Sequence, residues 1–347
     1  MFNKEMLILA RELRGYTQKE LAEQLNGVSQ GHLSKLEMGI HEISDDILKQ
    51  LMNILELPKS FFYQEKQHYG LPLSINGNFR KKQSLSKKVF LQIKGKINII
   101  IYNIEDLLLN QKTFKSKLLD IKVPYQASNN YDGETKDLNV SDKKSIKNRV
   151  LLVKEILNIS KDTPIINLVE HLEKNNILVI DVDFETELVD GFSYWIDDIP
   201  VIFVSRKITG DRQRFTISHE LAHLILHKDN PTERMEKEAD YFASEFLMPE
   251  KGISDDLSYI TLERLAMLKN KWKVSMSSLL MKTKELGNIK EYAYRGLFIN
   301  MAKLGYRKVE PVSIDYEHPT FIKKLVSDNK DKLNINEKDR FILYGIE

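Results

Sequence analysis

The sequence predicts a mainly α-helical protein with a small β-sheet, an α+β chain built from more than one domain. Three observations predict it. The first 65 residues carry four short segments with apolar side chains at helical spacing. Residues 177–205 hold one β-branched run and one hairpin pattern. Beyond that patch the apolar spacing returns to the helical period. At 347 residues the chain can hold two or three domains, each with its own core.

The first segment is Met6, Leu7, Leu9, Ala10 and Leu13, and the second is Leu21, Ala22 and Leu25. Leu33 and Leu36 with Ile40 make the third, and Ile47, Leu48, Leu51, Ile54 and Leu55 the fourth. Gly15, "NGVS" and "MGIHEIS" separate them, and Pro58 stops the last. Residues 1–65 are therefore an all-helical domain. "YGLPLSINGNFRKKQSLSKK" has linker composition, and a helical pattern runs from about Ser86 to Leu119. Together they form a basic helical linker region, 66–140, closed by the polar stretch "YQASNNYDGETKDLNVSDKK". Helices are predicted near 144–158 and 163–175. "ILVIDVDF" reads as a strand, and "GFSYWI" and "IPVIFVS" as a hairpin turning at Asp197-Asp198. Helices follow near 211–228 and 232–247, closing at Met248-Pro249. Residues 141–250 form the second domain, and 251–347 a mostly helical C-terminal region. Its stretch "KVEPVSIDYEHPTFIKKLV" carries no readable chemistry.

A formal net charge of +2 excludes any argument from bulk charge to a nucleic-acid or acidic partner. Eleven Lys or Arg residues nevertheless fall between Lys66 and Lys117, against only Glu105 and Asp106. The absence of cysteine excludes a disulfide framework and thiolate metal sites. Charges at Lys4, Glu5, Arg11 and Glu12 interrupt the N-terminus before any signal-peptide core could form. The run "INIIIYNIEDLLL" is too short to span a bilayer. The expectation is a cytoplasmic protein with no membrane partner.

The chemistry concentrates in "FTISHELAHLILH", Phe215 to His227. His219 and His223 are four apart, so a helix points both imidazoles the same way. His219-Glu220-Leu221-Ala222-His223 is the H-E-x-x-H pattern, in which the glutamate acts as general base beside a metal rather than as a ligand. A third ligand is needed, and Glu236 and Asp240 lie four apart on one face of the next helix. Glu238 falls on a different face. His227 lies a further turn along, about 12 Å of helix rise from His219, too far for both to hold one ion. It is expected to support a ligand or to pack. Two competing readings stand: histidines satisfied by core hydrogen bonds, and a metal kept for sensing or structure without hydrolysis. "IPVIFVS" reads either as an edge strand, where an extended substrate could add, or as an ordinary strand of the sheet. Arg212 and Arg214 are expected in salt bridges.

Residues from about 165 to 250 resemble the ImmA/IrrE family of zinc metallopeptidases. The resemblance is carried by Asp190-Gly191 before a strand, "RFTISHELAHLILH", an E-x-x-A-[DN] helix and a closing "LMP". It implies a zincin-like metallopeptidase domain with Zn2+ held by His219, His223 and Glu236, with Glu220 as base. Asp240 occupies the [DN] position.

"YTQKELAEQLNGVSQGHLSKLEMG" has the layout of a helix-turn-helix, with Thr17 and Glu20 placed for a capping box. It resembles the Cro/cI-like (XRE) repressor domains, with one more residue in the turn than many members. The resemblance implies that Gln18 touches a backbone phosphate. It places Ser29, Gln30, Gly31, Ser34 and Lys35 in the major groove of an operator. The domain is acidic on balance, so dimerisation or the basic 80–96 segment is expected to supply phosphate contacts. The combination implies a DNA-binding regulator of phage, mobile-element or stress genes. Its partners would be duplex operator DNA and a protein substrate such as a repressor, with a homodimer expected. The alternatives are a zinc-binding ligand sensor without proteolysis and an antitoxin-like partner-binding regulator.

Overall fold

The computed structural model describes residues 1–65, 86–108, 115–121, 138–228 and 233–328. The chain divides into two compact units. One takes in 1–112, 184–188 and 326–347, the other 113–183 and 189–325. The linker at 66–85, with Arg80, Lys81 and Lys82, the polar boundary at 125–137 and the end of the chain from 329 lie outside the described residues.

All four segments predicted in the first unit are helices. α1 (Lys4–Leu13) starts where Asn3 accepts a hydrogen bond from the Glu5 N–H. α2 (Gln18–Gln24) has the expected capping box, with Thr17 and Glu20 each satisfying the other's backbone N–H. α3 (Gln30–Met38) is capped by Ser29, and α4 (Asp45–Leu55) by Ser44. A 3₁₀ turn, Lys59–Tyr63, follows Pro58. Met6, Leu7, Leu21, Leu33, Leu36 and Leu51 fill the core, while Ile40 lies exposed beyond the end of α3. Arg11 and Glu37 form a buried pair at 2.6 Å that ties α1 to α3.

α5 (Lys87–Leu108) is the linker helix, and the predicted pattern next runs into 109–114, outside the described residues. It packs on α1, and its Ile99 and Tyr102 join the same core. Lys94 pairs with Glu12 at 2.9 Å and Lys96 with Glu185 at 2.7 Å. These two lysines pair with carboxylates of their own chain, Lys94 with one on α1 and Lys96 with one in the segment 184–188.

The second unit opens with a 3₁₀ turn, Lys117–Asp120, and α6 (Val140–Ile156). α6 begins earlier than predicted because Asn139 and Asp142 make a capping box. α7 (Leu168–Glu173) starts late, at the Asn167 cap. β1 (Leu178–Val182), β2 (Gly191–Ile196) and β3 (Ile199–Ser205) form one sheet in the order β1-β3-β2. β3 pairs in parallel with β1 and antiparallel with β2, and the hairpin turns at Asp197-Asp198 as expected. Of the two readings of "IPVIFVS", the edge strand is overturned. β3 is central, and its unbroken buried run from Pro200 to Ser205 is what a strand covered on both faces requires.

α8 (Gly210–Leu226) and α9 (Met235–Leu247) pack closely together, and α8 lies against β2 and β3. The short α10 (Glu250–Ile253) leads to α11 (Leu262–Trp272), α12 (Met276–Glu285) and α13 (Glu291–Lys303). One core runs from Leu118 to Met301, so these later helices share it with the sheet and α8. α14 (Phe321–Asp328) ends the described residues. Among them no helix is long and apolar enough to cross a membrane.

Between α13 and α14, residues 309–320 form a strap without helix or strand. Glu310 accepts from Lys269 at 2.7 Å and from the Met276 N–H at 3.0 Å. Glu317 exchanges two hydrogen bonds with the Gln213 amide and pairs with the fully buried Arg214. Glu173 receives the N–H groups of Thr320 and Phe321. The strap crosses the first turn of α8 so closely that a Cβ on Gly210 would stand 2.2 Å from the Asp315 carbonyl oxygen and 2.4 Å from that of Ile314. Both are backbone atoms, so no side-chain rotation relieves the clash. Gly210→Ala is expected to destabilise this unit by about 1–3 kcal/mol. Thermal denaturation checks it, and an unchanged midpoint would show that the strap yields freely.

Candidate metal centre

β2 and α8 meet through a periodic match. Alternate residues Gly191, Ser193 and Trp195 share a strand face and advance about 6.8 Å per pair, while α8 advances about 6 Å every four residues. Gly191 therefore faces Thr216, Ser193 faces Glu220 and Trp195 faces Leu224. A Cβ on Gly191 would meet Thr216 Cγ2 at 2.7 Å, which is why glycine follows Asp190 here. Ser193 Oγ donates to Glu220 Oε2 at 2.9 Å, and Trp195 Nε1 donates to the Leu224 carbonyl at 3.2 Å. Asp190 itself pairs with Arg212 at 2.7 Å. Arg212 and Arg214 are thus both in salt bridges, as expected.

On the face of α8 toward α9, His219 Nε2 and His223 Nε2 stand 3.1 Å apart. Glu236 on α9 brings Oε2 to 3.6 Å from the first and Oε1 to 3.5 Å from the second. Bonds of about 2.05 Å in a tetrahedral zinc complex place ligand atoms about 3.3 Å from one another. The three separations bracket that value. Glu236 Oε1 is also buried with no hydrogen-bond partner among the described residues. Two neutral imidazoles and one carboxylate, converging on one point with an orphaned oxygen, fit a divalent cation with Zn2+ preferences.

The electrostatics agree. Burial opposes charge on His219, yet hydrogen bonds to Asp240 and Glu236 and the nearby Glu220 charge raise its imidazole to about 10. The local field is strongly negative and favours a cation. At His223 burial acts together with repulsion from His219 and His227, and its imidazole is pushed well below the ordinary value. Burial raises the Glu220 carboxyl to about 7, opposed by His219 and by the Ser193 hydroxyl. A carboxyl near neutrality is suited to both taking and giving a proton.

Of the expected supporting residues, Asp240 Oδ1 accepts from His219 Nδ1 at 2.9 Å, the arrangement that orients a ligand histidine. His227 lies 3.0 Å from His223, Nδ1 to Nδ1. Glu238, given no role from its helical face, is fully buried and stands 2.8 Å from His227 Nε2. Its face of α9 is turned toward the last turn of α8, where His227 sits. Ser193 was not singled out in the sequence either, though its alternation with Gly191 and Trp195 was legible. Asp240 also lines a cavity of about 900 Å³ with Phe215, Tyr241, Met248, Met281 and Tyr294.

In the helical domain, Ser29, Gln30, Gly31 and Lys35 are exposed and Ser34 half-exposed along α3. Ser29 is occupied in capping, accepting from the His32 N–H at 3.2 Å. Gln18, expected at a backbone phosphate, is half-buried, and its amide donates to Glu37 at 2.7 Å, joining the Arg11–Glu37 pair.

A short sheet, a metal-binding helix and a second helix carrying a carboxylate ligand define a zincin-like arrangement. Residues 172–284 match the family model described as the IrrE N-terminal-like domain, and residues 7–62 match the helix-turn-helix model. The chain joins an XRE-type helix-turn-helix domain to an ImmA/IrrE-like domain. No curated protein matches it.

Proposed function

We propose that the chain is a DNA-binding transcriptional regulator whose second unit is a zinc-dependent endopeptidase acting on a repressor or another partner protein. The observation that carries the reading is the convergence of His219, His223 and Glu236 with Glu220 buried beside them. Zn2+, when bound, supplies a Lewis acid and lowers the pKa of water. Glu220, held by Ser193, takes a proton from the attacking water and returns it to the leaving amine. Among the described residues β2 is an outer strand of the sheet, paired with β3, and it carries Ser193 beside Glu220. Its outer edge replaces β3 as the strand-addition site. The cavity beside Asp240, lined by apolar side chains and by Lys143, Lys237, Lys284 and Glu285, supplies room for a substrate side chain.

The reading half rests on α3. Gln30 is placed to read adenine through two hydrogen bonds, and Lys35 to reach guanine acceptors or a phosphate. With Lys94 and Lys96 engaged by the chain's own carboxylates, phosphate contacts fall to dimerisation or to the other basic residues of 80–96. Gln30→Ala and Lys35→Ala are each expected to lower operator affinity by about 1–3 kcal/mol. Titration of operator and random duplex at one fixed salt concentration checks this. Equal wild-type affinity for both duplexes would assign the helices to protein interaction. The peptidase half is tested by following an operator-controlled reporter and the partner's integrity with Glu220→Gln in place of the wild type.

A further inference from the structure

We propose that Glu238 and His227 form a buried relay that fixes the metal-binding tautomer of His223. This rests on the metal reading of His219, His223 and Glu236 given above.

His223 turns Nε2 toward His219 Nε2 and Glu236 Oε1, at 3.1 Å and 3.5 Å. A neutral imidazole binds a cation through the nitrogen that lacks a proton, so the His223 proton must sit on Nδ1. That Nδ1 lies 3.0 Å from His227 Nδ1. Two ring nitrogens at this separation cannot both carry a hydrogen along the line between them. His227 Nδ1 therefore accepts, and the His227 proton belongs on Nε2. There Glu238 Oε2 accepts it at 2.8 Å. The opposite assignment would move a proton onto His223 Nε2, where the cation binds. It would also set the His227 Nε2 lone pair against the carboxylate.

The three side chains are buried. Relative exposure is 7% for His223, 5% for His227 and zero for Glu238, so water cannot easily replace a missing member. His219 is held differently: its partner Asp240 has a side chain 61% exposed, where solvent can substitute. The site thus has one short, wet support and one long, dry support. Equal spacing of His219, His223 and His227 along α8 follows, since each histidine meets the next one turn away. His227 and Glu238 are positioning residues, acting on the ion only through His223.

The test uses the full-length protein. Zinc dissociation constants are measured by chelator competition for the wild type, His227→Phe, His227→Asn and Glu238→Ala. Long-range ¹H–¹⁵N spectra of the ¹⁵N-histidine-labelled, zinc-loaded wild type report where each ring proton lies. Phenylalanine keeps the ring's bulk without an acceptor, and asparagine places an oxygen near the former Nδ1. His227→Phe and Glu238→Ala are expected to weaken zinc binding roughly ten- to hundredfold, with most of the loss at position 227 recovered in His227→Asn. The spectra are expected to show His223 protonated at Nδ1 and His227 at Nε2. Unchanged affinity in His227→Phe, no recovery in His227→Asn, or a proton on His227 Nδ1 would each overturn the relay while leaving the metal site standing. A wild type that holds no zinc would overturn the metal reading and the relay together. If a variant fails to fold, the wild-type spectrum decides alone.

Discussion

His223→Ala is expected to strip the protein of metal. Apparent binding free energies of about 10–16 kcal/mol for a full set of zinc ligands put one ligand at roughly 3–4 kcal/mol, a loss of several hundredfold in affinity. His223 contributes more than one bond, because its ring is the end of a buried chain through His227 to Glu238. Its removal leaves those two groups with nothing to orient. His219→Ala should lose metal similarly, while Asp240 is left facing solvent. Metal analysis of purified wild type should give about one zinc per chain, and the His219→Ala/His223→Ala protein none. Zinc release is also expected on acidification, since every ligand must give up its proton to bind. Stoichiometric zinc in the double variant would place the ion elsewhere.

Glu220→Gln is expected to abolish hydrolysis while leaving zinc and operator binding intact. The substitution keeps the side chain's size and its ability to bond Ser193, but removes the base. General acid–base catalysis contributes on the order of 10²–10⁴-fold, and the same group acts twice here, so the upper part of that range is expected. Reporter induction should fail with this protein although its operator affinity is unchanged. Normal induction would make proteolysis dispensable and would favour a regulator that senses a ligand at the zinc unit.

Much of this was legible in the chain because local chemistry decided it. Thr17 and Glu20 cap one another whatever the rest of the fold does, and four-residue spacing aligns His219 with His223 in any helix. What escaped required neighbours distant in sequence. The place of β3 in the sheet depended on β1 lying alongside it, which no residue of "IPVIFVS" specifies. Glu238 was set aside on helical phase alone, and only the packing of α9 on α8 turns its face toward His227. Gln18 was placed at a phosphate by resemblance, and its bond to the buried Glu37, nineteen positions away, forms only once the helices pack. The stretch from Glu310 to Thr320 has no period to read, because its backbone and side chains are satisfied one contact at a time.

That stretch sets an order of events during translation. Arg214, at the start of the metal-binding helix, meets its counter-charge Glu317 only after 103 further residues have been made. The four helices of the N-terminal domain complete their core with Ile99 and Tyr102 of α5, so that domain can close once α5 has left the ribosome. A nascent polypeptide therefore completes its helix-turn-helix domain long before its metal-binding unit can mature. On the function proposed above, a chain stopped short of Glu317 would be expected to bind its operator without the activity of the metal-binding unit.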